Sequence, residues 1–162
     1  MNALDILRRD HQRVQRLIAK VEATLDEGNA SAFAGMVQKL DDALKVHFRI
    51  AEDVFYNELE GFDEVRQLIA DARETHRRIE EVVNSLKENE PIWAGQDARI
   101  AVIKELMRQH VTQEEDLAPK AERLLGATAL QEMFYEMDEI RTHQSATDSM
   151  IYPASRLGPK PI

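Results

Sequence analysis

Histidine and carboxylate side chains are the groups of this chain that could do chemistry, because its 162 residues include no cysteine. The lack of cysteine excludes disulfides, thiolate catalysis, zinc-finger ligation and iron–sulfur clusters. Four of the five histidines fall one in each of four successive helical patterns: His11, His47, His76 and His110. Imidazole and carboxylate ligands without sulfur suit iron, manganese or zinc. The residue types therefore point first to a metal site.

Five helical segments position these histidines, because glycine and proline fall almost entirely between stretches of helical periodicity. Ser31 and Thr128 are the expected N-caps of the second and fifth segments. The pattern predicts an all-α fold, an antiparallel up-down-up-down four-helix bundle with a short fifth C-terminal helix and an irregular tail. The predicted helices span about residues 3–27, 31–60, 63–88, 97–125 and 128–143.

Each of the four histidines occupies an apolar helix face, where core packing favours an aliphatic side chain. In the fourth segment, for example, His110 and Glu114 continue the same three-and-four spacing as Met107 and Leu117. A single histidine on such a face is usually a core residue with a hydrogen-bond partner. Four of them on four successive helices favour a shared site instead.

The positions of the turns predict that the four imidazoles lie in one layer of the bundle. His11 and His47 are equally far from the first turn, and so are His76 and His110 from the third. His47 and His76 differ by one residue in their distance from the second turn. Neighbouring helix axes are about 8–10 Å apart. Four unpaired imidazoles would be costly in so dry a layer, and a metal ion meets their need for partners.

Glu114 adds a carboxylate to this layer. It follows His110 by four residues, about 40° around an ideal helix, so both side chains project in the same direction. A carboxylate at a core position is expensive to ionise unless a cation compensates it. Glu115 and Asp116 face outward on the same helix and are typical of a solvated face.

Four segments, taken in order, resemble the hemerythrin-like HHE cation-binding family: RRDHQRV, ALKVHFRIAEDVFY, ETHRRIEE and LMRQHVTQEEDLAPKAERLL. The resemblance covers roughly residues 3–125. It implies a non-haem iron site, usually dinuclear, inside a four-helix bundle. By the same resemblance the metal ligands are expected to be His11, His47, His76, His110 and Glu114, with Glu52 as a further candidate.

The second segment departs from the family pattern, because Ala51 stands four residues after His47, where the family has a carboxylate. Glu52 comes one position later, about 140° from His47 on an ideal helix. A local bulge would turn it inward; on a regular helix it faces a neighbour or solvent beside Asp53. Tyr56 is expected at the core edge or on the surface, as are Tyr135 and Tyr152. A distorted helix would let a tyrosine supply a phenolate.

Function is expected to involve a small ligand at this site. As a hemerythrin-like bundle over residues 1–144, followed by an irregular tail over 145–162, the protein is expected to bind, sense or turn over O2, peroxide or nitric oxide. The alternative is a structural or interaction bundle derived from the same family, with weak or no metal binding. The net charge of −9 argues against nucleic acid or an anionic membrane surface as partner. A cytoplasmic setting is expected.

Overall fold

Helices make up most of the chain that the computed structural model describes, which is residues 1–88 and 93–151. These two ranges contain no strand and four helices of 21 residues or more. None of these helices combines the length and the apolar character needed to cross a bilayer. In chain order the elements are α1 (Ala3–Asp26), α2 (Ala30–Ile50), a π-helix (Ala51–Tyr56), α3 (Asn57–Leu59), α4 (Asp63–Glu88) and α5 (Gln96–Ile151).

The turn between α1 and α2 sets which residues of the two helices face each other. Gly28 adopts φ +66°, a left-handed conformation that glycine takes without strain, and ends α1. Asn29 then caps α2, its side-chain oxygen accepting from the backbone N–H of Ala32 at 3.0 Å. The predicted cap at Ser31 is therefore wrong. Asn29 takes that role because its side chain reaches the third residue ahead.

A π-helix over Ala51–Tyr56 interrupts the second long helix, within the range predicted as helix from 31 to 60. A π-helical turn takes in about one residue more than an α-helical turn. The residues after His47 are therefore rotated relative to an ideal α-helix, in the sense that brings Glu52 and Tyr56 toward the interior. Ala51, Phe55 and Tyr56 are each 0% exposed.

Helix α5 contains a break at Gly126, whose φ of 80° and ψ of 169° are not helical. This break coincides with the predicted end of the fourth helix. The helix resumes at once, so Thr128 is not an N-cap, and it continues to Ile151 rather than to about residue 143. Residues 145–151, predicted as the start of the irregular tail, are thus helical. Residues 152–162 lie outside the described part of the chain, so the rest of that prediction stays open.

The histidine layer lies between two apolar clusters. Helix α1 packs against α2 and α5, and α4 packs against α2 and α5. One cluster contains Leu7, Phe55 and Leu117, and the other contains Val14 and Met107. Side chains of the segment after Gly126 join the first cluster, as their spacing predicts: Leu130, Met133 and Met137 are buried, and Ile140 packs against them partly exposed. The layer is therefore shielded from water on both sides.

Candidate metal centre

The four imidazoles predicted to share a layer lie side by side in the structure. The ring centroid of His11 is 4.8 Å from that of His47 and 5.1 Å from that of His110. His76 lies 4.5 Å from His110 and 6.1 Å from His47. All four residues are no more than 4% exposed. Helix pairing therefore brings together residues that are up to 99 positions apart in the sequence.

Four ligand atoms converge within this group. One atom each from His11, His47, His110 and Glu114 lie within 4.8 Å of one another. The Nε2 atoms of His47 and His110 are 2.9 Å apart, and His110 Nε2 lies 3.5 Å from Glu114 Oε1. Ligands bonded to one ion at about 2.1 Å are separated by roughly 3.0–3.4 Å. These two distances are therefore close to those between ligands of a single metal ion.

The hydrogen bonding of this group is incomplete. His11 Nε2 and Glu114 Oε2 are 2.9 Å apart, yet neither has a hydrogen-bond partner among the described residues, so the close pair is not aligned as a hydrogen bond. Buried polar atoms without partners are rare, because each costs about 1–3 kcal/mol. A cation between the two atoms would satisfy both. This donor set fits a metal better than a purely hydrogen-bonded core.

His76 and Glu52 form a second part of the site beside the group of four. The Nδ1 atom of His76 donates to Glu52 Oε1 at 2.7 Å, and the Glu52 side chain is 39% exposed. Glu52 has therefore turned inward at the π-helix, but it contacts the far nitrogen of His76 rather than the group of four. With Nδ1 protonated, Nε2 of His76 is left unprotonated, the form in which imidazole binds metals.

Tyr56 connects the two parts. Its hydroxyl donates to Glu114 Oε1 at 2.5 Å and lies 3.4 Å from His76 Nε2, and its ring stacks on His76 with centroids 5.6 Å apart. The expectation of a core-edge or surface position is wrong for Tyr56, because the π-helix turns it into the interior. Tyr135 is exposed as expected, and Tyr152 lies outside the described residues.

A carboxylate also lies beside the Nδ1 atom of His47. Asp10, 8% exposed, has Oδ2 3.4 Å from His47 Nδ1, and its Oδ1 accepts from Arg141 in the segment after Gly126. By contrast, Nδ1 of His110 is buried without a hydrogen-bond partner in the described chain. Metal-binding histidines typically donate their second N–H to a carboxylate or a carbonyl. His47 and His76 therefore have the surroundings of metal ligands.

Burial and mutual interaction keep the His76 and His110 imidazoles neutral. Burial, reinforced by His47, lowers the pKa of His76 to about 3. Burial likewise takes the pKa of His110 well below its usual range, although Glu114 opposes the shift. Burial alone raises the pKa of Glu114, but the surrounding histidines outweigh it and hold that pKa below its usual range. Neutral imidazoles beside an ionised carboxylate are the protonation states that metal binding needs.

Tyrosine 56 remains a phenol in this environment. Burial, followed by the adjacent Glu114 carboxylate, raises the pKa of Tyr56 well above its ordinary value. The pKa of Glu52 is raised as well, mainly by burial and against the opposing effect of Arg73. The protein alone therefore leaves the proton on Tyr56. Only a cation in contact with the oxygen would release it.

Sequence reasoning did not identify Asp10 and Arg141 as parts of the site. Asp10 precedes His11 directly, which offers only a weak signal, since charged residues next to a core histidine are usually exposed. Arg141 approaches Asp10 across 131 positions, which no local pattern reveals. All six residues predicted as ligands are found in the site: four share the compact group, and His76 and Glu52 lie beside it.

Comparison with known proteins agrees with this geometry. A family model described as the hemerythrin HHE cation binding domain matches residues 2–121, which include every histidine of the site and Glu114. Neither the curated proteins nor the solved structures gave a match. On the matched residues and the buried histidine–glutamate group, this chain belongs to the hemerythrin HHE cation-binding domain family.

Proposed function

We propose that this protein binds non-haem iron at the histidine–glutamate group and uses it to bind, sense or turn over O2, peroxide or nitric oxide. The observation that carries the proposal is the convergence of His11, His47, His110 and Glu114, with two of the converging atoms lacking hydrogen bonds. All of the donors are nitrogen or oxygen, a set that suits iron.

The first ion is assigned to His11, His47, His110 and Glu114. Because Ala51 replaces the family's carboxylate, a second ion would draw on Nε2 of His76 with Tyr56, or on Nδ1 of His76 with Glu52. Both options use residues that the π-helix turns inward. Iron held by this set supplies reversible one-electron chemistry and coordination positions for a small ligand.

The helices are proposed to form the antiparallel up-down-up-down bundle, with the residues after Gly126 as its fifth helix. Ion pairs between α1 and α5 support opposite directions for these helices. Arg8 pairs with Glu115 at 2.8 Å, and Glu22, further along α1, pairs with Lys104, earlier on α5, at 2.7 Å. Such an arrangement holds facing ligands rigidly at one level.

The surrounding protein limits what reaches the site. A cavity of about 10 Å³ lies against His11 and Glu114, bordered by Leu7 and Ala118. This volume accommodates about one water-sized molecule. Only a small ligand, such as a diatomic or peroxide, is consistent with that size, and the charged side chains of Arg8 and Glu115 also line the cavity. Tyr56, which donates to Glu114 Oε1 at 2.5 Å, is a further group with an exchangeable proton beside the site.

Iron content of the protein, expressed in iron-supplemented medium and purified without chelator, tests the proposal. We expect about one to two iron ions per chain and near-ultraviolet absorption that disappears in His110→Leu. His143→Leu is the control, because His143 lies outside the group of four and is exposed. Zinc alone would contradict the assignment of iron, and the absence of stoichiometric metal in the wild type would favour the structural or interaction bundle instead.

A further inference from the structure

Asp10 joins a proposed metal ligand to the C-terminal part of the chain. One carboxylate oxygen faces Nδ1 of His47 at 3.4 Å, and the other accepts from the guanidinium of Arg141. The Asp10 side chain is 10% exposed and that of Arg141 is 32% exposed. Asp10 and Arg141 thus bridge α1 and the C-terminal segment, defined here as residues 127–151 of α5.

A carboxylate in this position acts on His47 in two ways. By accepting from Nδ1 it fixes the tautomer that leaves Nε2 unprotonated, and it holds the ring in one orientation. A buried carboxylate is costly without a cation, and Arg141 supplies that cation. If Arg141 moved away, Asp10 would be left with His47 alone and would reorient toward water. The orientation of His47 therefore depends on the position of the C-terminal segment.

The C-terminal segment is held on the bundle by apolar contacts as well as by this ion pair. Leu130, Met133 and Met137 are buried in the same cluster as Leu7 of α1. The non-helical backbone of Gly126 separates the segment from the first part of α5. Arg141 also lies beyond residues 2–121, the part of the chain that matches the family. The contact between Arg141 and Asp10 therefore joins the matched domain to a segment that lies outside it.

We propose that Asp10 is a positioning residue for His47, and that its ion pair with Arg141 couples docking of the C-terminal segment to metal binding. The inference rests on the metal binding proposed above. Coupling of two equilibria is reciprocal. A docked segment tightens metal binding by the same factor by which bound metal stabilises docking. Metal binding at the buried site would in this way change how firmly the C-terminal segment is docked on the bundle.

Titration of the full-length, metal-free protein with Co²⁺ alone tests the positioning role. Loss of a group that hydrogen-bonds to a metal ligand typically weakens metal binding by about 10–100-fold. We expect Asp10→Asn to weaken Co²⁺ binding about tenfold or more and to shift the visible Co²⁺ spectrum. Arg141→Met is expected to weaken binding several-fold, and Arg141→Lys, which keeps the charge, to restore much of it. Arg141 is partly exposed, so its variants are expected to fold.

Lys87→Met is the matched control. Lys87 binds the buried carboxylate of Asp41 at 2.7 Å, is 33% exposed, and contacts none of the four site histidines. Its loss costs stability without touching the site, so Co²⁺ affinity and spectrum should match the wild type. If Arg141→Met and Asp10→Asn also bind Co²⁺ like the wild type, Asp10 does not position His47 and the inference is overturned.

Hydrogen exchange of residues 127–144 tests the coupling. Co²⁺ should slow exchange there in the wild type and in Lys87→Met, but much less in Arg141→Met. Equal slowing in Arg141→Met and the wild type contradicts the coupling even if affinity changes. If the wild type does not bind Co²⁺ at all, both the proposed function and the inference are overturned. The titration of the wild type by itself separates this outcome from a failure of the inference alone.

Discussion

The hydroxyl of Tyr56 donates to Oε1 of Glu114 at 2.5 Å, between two residues that are 0% and 4% exposed. A hydroxyl carries one proton, so this bond leaves only lone pairs facing His76 Nε2, 3.4 Å away. Several acceptors thus meet around one oxygen with a single proton among them. A buried group with more hydrogen-bond acceptors than protons is typical of a site that binds a cation.

Tyr56→Phe is expected to destabilise the metal-free protein by about 1–3 kcal/mol, because it removes the hydrogen bond to a buried carboxylate. Denaturant unfolding after exhaustive chelation measures the change. Tyr135→Phe is the control, since Tyr135 is 61% exposed and its hydroxyl reaches water. Equal stability of both variants would show that the bond to Glu114 contributes nothing.

His110→Leu should lower thermal stability only when metal is present. In the metal-free protein it replaces a side chain whose Nδ1 is buried and unpartnered among the described residues, so it is expected to be neutral or stabilising. With metal at 100 times Kd, the wild type gains about 2.7 kcal/mol from binding, which the variant loses. Melting curves that keep the same order under both conditions would argue that His110 is only a core residue.

Stability of the metal-free protein should fall as the pH drops below 6.5. His76 has a pKa of about 3 in the folded protein and an ordinary value of 6.5, so in this range the unfolded chain binds the proton. Protonation of His76 in the unfolded chain therefore lowers the free energy of unfolding by about 1.4 kcal/mol at pH 5.5, relative to its value well above pH 6.5. Urea unfolding between pH 7.5 and 5.5 measures the slope. His76→Leu should make the slope smaller, with the lowered pKa of His110 contributing to what remains, and an equal slope in that variant would contradict the assignment.

Gly126→Ala is expected to cost about 1–3 kcal/mol, because φ of 80° with ψ of 169° is a region that side chains rarely adopt. Gly35 provides the control: it lies within α2 with open space around it, so Gly35→Ala should stabilise by roughly 0.5–1 kcal/mol. Thermal unfolding compares them. A neutral Gly126→Ala would mean that the break in α5 does not depend on glycine.

The sequence was sufficient to predict the histidine layer, because apolar spacing and the glycine-containing turns determine which residues of paired helices face each other. His11 and His47 meet since they are equally far from the turn at Gly28 and Asn29. The exact cap was not predictable, because Ser31 and Asn29 are both good caps. Tertiary packing decides between them.

Features that depend on tertiary structure were not predictable in the same way. Nothing local in AEDVFY specifies a π-helix, whose cost is offset by burying Tyr56 and turning Glu52 toward His76. A bulge was one of two options for Glu52, but the inward turn of Tyr56 was not expected. The approach of Arg141 to Asp10 depends on the direction in which the chain leaves Gly126. Only the folded structure reveals it.

The most direct test of the central claim is to locate the metal by anomalous diffraction from crystals of the iron-loaded protein, with data on either side of the iron absorption edge. We expect an iron peak within about 2.1–2.3 Å of the ligand atoms of His11, His47, His110 and Glu114. A second peak, if present, should adjoin His76. The absence of an anomalous peak among these residues, or iron bound only at the protein surface, would contradict the claim that this histidine–glutamate group is a metal centre.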